Sequence, residues 1–93
     1  MNSSAHILIV EDESIVAFNL QQRLSHMGYH VPDIAASAGE TLHLLSNSSP
    51  DLILMDIHIE GAMDGIEVAA RIQETRSVPV IYLTAYSEDA TLE

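Results

Sequence analysis

Three short apolar runs in this chain end in residues that can do chemistry. Ile7-Leu8-Ile9-Val10 is followed by Glu11-Asp12, with Glu13 behind them; Leu52-Ile53-Leu54-Met55 is closed by Asp56; Val80-Ile81-Tyr82-Leu83 is followed by Thr84. Adjacent carboxylates repel unless a cation sits among them, and a set of hard oxygen ligands suits Mg2+. A carboxylate in such a site can also be a nucleophile and form an acyl phosphate. A hydroxyl such as that of Thr84 can hydrogen-bond a transferred phosphoryl oxygen. Taken singly, each residue has a plainer reading: Asp12 as the cap of a following helix, Thr84 as a loop residue or cap.

Whether these groups meet depends on the elements that carry them. The first run is short and continuously apolar, as expected of a strand buried on both faces. Residues 14–27 then carry Val16, Leu20, Leu24 and Met27 at helical spacing, with Gly28 placed to end the helix. Residues 31–36 read as a weaker strand. Ser37-Ala38-Gly39-Glu40 has capping-box spacing and opens a helix reaching about Ser48, with Leu42 and Leu45 inward. The third run ends at Asp56, and a loop containing Gly61 leads to Asp64, the expected N-cap of a helix running to about Thr75. Residues 78–83 form the fourth strand, with Pro79 tolerable near its start. Ser87-Glu88-Asp89 resembles the opening of another helix, with acids where the helix dipole favours them. Strands alternating with helices predict a parallel α/β sheet with helices on both faces. Ligands of such sheets bind beyond the carboxyl ends of the strands, where Glu11, Asp12, Asp56 and Thr84 all fall.

Composition narrows the partners. The 93 residues, 47% of them hydrophobic, suffice for one small domain, and fourteen acids stand against three arginines and no lysine, giving a formal net charge of −11. Such a chain lacks the cations that a nucleic-acid backbone or an anionic membrane would need. There is no cysteine, hence no disulfide, thiolate metal site or cysteine nucleophile. No apolar run is long enough to cross a bilayer, and Met1–Ala5 lacks the features of a signal peptide, so a cytoplasmic location is expected.

The five histidines, His6, His26, His30, His43 and His58, fall on different predicted elements. His26 and His30 are four apart, but Gly28 between them breaks the helix. They read as surface histidines rather than as a ligand set. His58 differs, because it neighbours Asp56 and its side chain could flank a group held there. Met27, Met55 and Met63 read as packing residues.

The acidic pair after the first run, Asp56 at the end of the third, the following Asp64-Gly65, and Pro79-Val80-Ile81-Tyr82-Leu83-Thr84-Ala85 together resemble, in order, the motifs of response regulator receiver domains. The resemblance spans almost the whole chain. It implies a flavodoxin-like doubly wound sheet of order 2-1-3-4-5. Residues 1–93 would supply the order 2-1-3-4, with the family's fifth strand and last helix missing, so the receiver domain is expected to be incomplete at its C-terminus. By that likeness Asp12 and Asp56 would ligate Mg2+ directly, Glu11 would act through water, and the backbone carbonyl of His58 would complete the protein ligands. Asp56 would accept a phosphoryl group from a histidine kinase or phosphotransfer protein, and Thr84 would contact the phosphate and act as the switch. The implied role is a signalling module with at most self-phosphorylation and self-dephosphorylation activity, binding neither nucleic acid nor membrane.

Two departures from the family pattern stand out. The family's lysine after strand five, which pairs with the phosphate, has no counterpart here, and neither does the aromatic switch residue of that strand. The loop from Asp56 to Asp64 lacks the usual proline and is one residue longer than the commonest version, a variant that resembles receivers attached to sensor-kinase modules. These departures keep open a phosphorylation-incompetent pseudo-receiver that serves as an interaction module. A haloacid-dehalogenase-type phosphatase also uses a strand-end Asp and Mg2+, but the second Asp it needs two residues on is His58 here, and it too requires a lysine. Without a fifth strand, the fourth would be a bare apolar edge, so a homodimer through that edge or an exposed helical face is a further expectation.

Overall fold

The fold is that of a computed structural model, which describes residues 4–59 and 61–83. The elements run β1 (Ile7–Val10), α1 (Ser14–His26), β2 (Ile34–Ala35), α2 (Ala38–Asn47), β3 (Leu52–Asp56), α3 (Gly65–Gln73) and β4 (Val80–Leu83). All strands pair in parallel, in the order β2-β1-β3-β4. The expected order 2-1-3-4 is therefore observed. The proposed helix from Ser87 lies outside the described residues.

The strand pattern explains the sheet. All four residues of β1 are buried, and alternate side chains serve opposite faces. Leu8 and Val10 join Ile53, Met55, Ala35, Leu45, Val68 and Ile72 in the core beneath α2 and α3. Ile7 and Ile9 join Ala17 and Val31 on the other face, where Leu20 and Leu24 of α1 pack. Helices thus cover both faces, which is why the central strands read as continuous apolar runs.

Local chemistry fixes the helix ends. Gly28, at φ +101°, terminates α1: its N–H donates to the Ser25 carbonyl, and that of Tyr29 to Leu24, both at 3.0 Å. Ser37 caps α2 by accepting from the Glu40 N–H at 3.2 Å. The Glu40 carboxylate reaches back to the Ala36 N–H rather than to that of the cap residue itself. Asp64 caps α3 in a full capping box with Glu67, through bonds of 2.9 and 3.0 Å.

Three expectations need correcting. The weak strand over 31–36 is only Ile34–Ala35, because Pro32 and Asp33 interrupt the pairing between the bridge at His30 and the ladder at Ile34. Met27 does not join the inward stripe of α1. It is the C-cap residue, and it is 68% exposed. The fourth strand starts at Val80, and Pro79, which has no N–H to give the ladder, contributes only its carbonyl, to the Ile53 N–H at 3.0 Å.

Candidate functional site

The register of the sheet builds the site. Val10 pairs with Met55, so one further step along each parallel strand sets Glu11 beside Asp56. Asp56 is the last residue of β3 and pairs with Leu83, the last residue of β4. The N–H of Glu11 donates to the Ala35 carbonyl at 2.9 Å, which ties the end of β1 to β2. Carboxylate oxygens of Glu11, Asp12 and Asp56 all lie within 4.8 Å of one another. Of the residues singled out from the sequence, these three are brought together at the carboxyl end of the sheet. Thr84 lies outside the described residues.

Asp12 is not the cap of α1. Glu13 occupies that position, and its side chain makes no capping bond. The Asp12 carboxylate therefore belongs to the acidic cluster rather than to the helix end. Glu11 is held by the Glu13 N–H, which donates to Oε2 at 3.1 Å. Asp56 is held by the His58 N–H, which donates to Oδ1 at 3.2 Å. The His58 side chain is exposed, whereas Ile59, next along the loop, is buried and anchors the loop in the α2–α3 core. Gly61 takes φ +115°, a conformation that other residues rarely adopt.

Two of the three carboxylates are almost fully buried, Glu11 at 3% exposure and Asp56 at 6%. Burial raises the pKa of the Glu11 carboxyl from 4.5 to about 7. The Asp56 charge, the hydrogen bond to Asp56 and the Asp12 charge push the same way, and only the bond from the Glu13 N–H opposes them. Crowded, desolvated carboxylates of this kind are relieved by a proton or by a hard divalent cation. The donor set, three carboxylates with oxygens in mutual reach, fits Mg2+.

Gly65 explains how α3 approaches this site. Its N–H donates to the Ile57 carbonyl at 2.7 Å. A Cβ on Gly65 would stand 2.1 Å from the Asp56 carbonyl oxygen and 2.9 Å from the Ile57 Cα. Only glycine lets the start of α3 lie directly against the end of β3. The sequence marked Asp64-Gly65 as a motif, but gave no sign that the glycine faces the backbone of Asp56.

The sequence also missed a pairing at the opposite pole. His6 and His30 form an isolated parallel bridge, with ring centroids 5.5 Å apart. Their pairing depends on β2 lying beside β1, which neither residue's neighbours in sequence reveal.

A parallel doubly wound sheet with an acidic cluster at its carboxyl end, two carboxylates from the end of β1 and one from the end of β3, defines a receiver-type phosphoacceptor scaffold. The family model for the response regulator receiver domain matches residues 7–93, and the chain belongs to this family. It is 39% identical over 83 residues to the transcriptional regulatory protein AfsQ1 of Streptomyces coelicolor, covering 89% of this chain and 36% of that protein. It thus spans about a third of that relative's length. Among solved structures, it is similar to the N-terminal domain of a response regulator/sensory box/GGDEF three-domain protein from Carboxydothermus hydrogenoformans. The TM-score is 0.82 and the identity 40%, over 95% of this chain and 70% of that one. It is also similar to the response regulator TrrA of Thermotoga maritima, solved in complex with Mg2+-BeF. There the TM-score is 0.80 and the identity 34%, over 89% of this chain and 71% of that one.

Proposed function

We propose that the chain is a phosphoacceptor module of a two-component phosphorelay, in which Asp56 accepts a phosphoryl group from a histidine kinase or phosphotransfer protein. The observation that carries this reading is the convergence of Glu11, Asp12 and Asp56, with oxygens within 4.8 Å, at the carboxyl end of the sheet. The module works in the cytoplasm, where such kinases present their phosphohistidine. Among the described residues no helix is long and apolar enough to cross a membrane.

Asp12, Asp56 and the His58 backbone carbonyl would hold Mg2+, with Glu11 assisting through water. When bound, Mg2+ offsets the negative charge that gathers on the phosphoryl oxygens. The remaining work falls to the chain. Asp56, oriented by the His58 N–H, directs a carboxylate oxygen at phosphorus. The new O–P bond forms as the P–N bond to the donor imidazole breaks, and the electron pair leaves with the imidazole nitrogen. Burial of Glu11 and Asp56 strips water from the nucleophile, so it need not be desolvated during the transfer. Thr84 donates its hydroxyl to a phosphoryl oxygen and switches position on phosphorylation, a role proposed from the sequence likeness alone. The chain turns over no external substrate and is no enzyme beyond its own phosphorylation and dephosphorylation.

Beryllofluoride titration in the presence of Mg2+, followed by NMR, tests the reading. Resonances of residues 10–13 and 56–58 should shift in the wild type and stay unchanged in Asp56→Asn. Equal shifts in both proteins would remove Asp56 from the role.

A further inference from the structure

The pole of the sheet opposite Asp56 carries a second arrangement of ligating side chains. His6 stands just before β1, and His30 lies beside it through a parallel bridge. The backbone locks them together: the His30 N–H donates to the Ala5 carbonyl at 2.9 Å, and the Ile7 N–H donates to the His30 carbonyl at 2.9 Å. Asp51 adds a third tie, accepting from the His6 N–H on its carboxylate at 2.8 Å and donating its own N–H to the His6 carbonyl at 2.7 Å. The rings are thus carried by fixed backbone at neighbouring positions, with a carboxylate at the same strand start.

The ring geometry fits a shared metal ion. An ion about 2.0–2.1 Å from one nitrogen of each imidazole lies about 3.2 Å from each ring centre, so two rings sharing it at a tetrahedral angle have centres roughly 5 Å apart. The observed separation is 5.5 Å, with the rings tilted by 60°. Among the described residues neither ring is engaged in a side-chain hydrogen bond, and His30 is exposed while His6 is half-buried, so solvent can reach the pair and supply the remaining ligands.

We propose that His6 and His30 form a two-imidazole site for a divalent transition-metal ion of the zinc class, chemically distinct from the all-carboxylate cluster that suits Mg2+. Its structural effect is to clamp β2 to β1. Only Ile34 and Ala35 of β2 pair with β1 in the ladder, so a bond between the two chain segments at the opposite end closes a weakly held edge.

Calorimetric titration of Zn2+ into the chain, with Mg2+ saturating, tests the site. An Asp12→Asn/Asp56→Asn double variant, titrated alongside, removes the competing carboxylates. One Zn2+ should bind in both proteins. Either His6→Gln or His30→Gln should weaken it by at least the roughly 10–100-fold that even outer partners of a metal contribute, while His43→Gln should leave it unchanged. Zn2+ should also slow amide exchange at Ile7 and His30, the two N–H groups that tie the segments together. Absence of Zn2+ binding, binding that survives both histidine variants, or binding lost only with Asp12 and Asp56 would each overturn the proposal.

Discussion

Replacing Gly65 by alanine should damage the site without touching a carboxylate. The added Cβ would lie 2.1 Å from the Asp56 carbonyl oxygen, with lesser clashes against the Ile57 Cα and the Asp56 carbonyl carbon at 2.9 and 3.0 Å. All three are backbone atoms, so no side chain can swing aside. Relief requires the first turn of α3 to move away from the end of β3 by more than 1 Å, which is roughly the shortfall from ordinary contact. Overpacking of this kind costs about 1–3 kcal/mol, and the gain in helix propensity from glycine to alanine returns at most about 1 kcal/mol. The net loss is then up to about 2 kcal/mol, which lowers the melting temperature of a domain this size by up to roughly 16 °C. Because the Gly65 N–H to Ile57 carbonyl bond would stretch as well, the backbone at the end of β3 that carries Asp56 would shift and Mg2+ affinity should fall. Gly39→Ala is the control. Its Cβ would meet nothing closer than the Ser37 Oγ at 4.0 Å, so that variant should be neutral or more stable by up to about 1 kcal/mol. Urea unfolding and Mg2+ titration of both variants measure the difference. Equal stability and equal Mg2+ affinity for Gly65→Ala and the wild type would refute the close-approach argument.

Asp12→Asn should weaken Mg2+ binding while leaving the fold intact, since Asp12 makes no capping bond; calorimetry checks this. The pH dependence has a definite sign. The folded chain holds a proton on Glu11 up to about pH 7, whereas the carboxyl ordinarily loses it near 4.5. Without Mg2+, the contribution of Glu11 to stability is therefore full below pH 4.5 and is lost as pH rises through about 7. Mg2+ or Glu11→Gln should flatten this slope in unfolding measurements at pH 4.5–8. Ile81 and Tyr82 of β4 are 51% and 42% exposed, an apolar edge that should promote self-association at high concentration; Ile81→Lys should reduce it in sedimentation experiments.

The sheet was largely legible because parallel strands buried on both faces leave continuous apolar runs, and β1 and β3 are such runs. The short β2 was overread, since an edge strand of two paired residues carries almost no periodic signal and Pro32 lies between it and buried Val31. Glu11, Asp12 and Asp56 could be located because each directly follows or ends a strand, and register then does the rest. Asp64 and Ser37 were legible as caps from spacing alone. What spacing could not reveal were contacts set by tertiary approach: the backbone of Asp56 against Gly65, and His6 beside His30. Met27 misled because its helical spacing matches the inward stripe, while the actual end of α1 leaves it in solvent.

The most direct measurement is chemical mapping of the acyl phosphate formed with acetyl phosphate, by borohydride reduction and mass spectrometry. With Mg2+ present, modification should fall on Asp56 alone and vanish in Asp56→Asn or on removal of Mg2+. A phosphoryl group that persists in Asp56→Asn, maps to another residue, or forms equally well without Mg2+ would contradict the account.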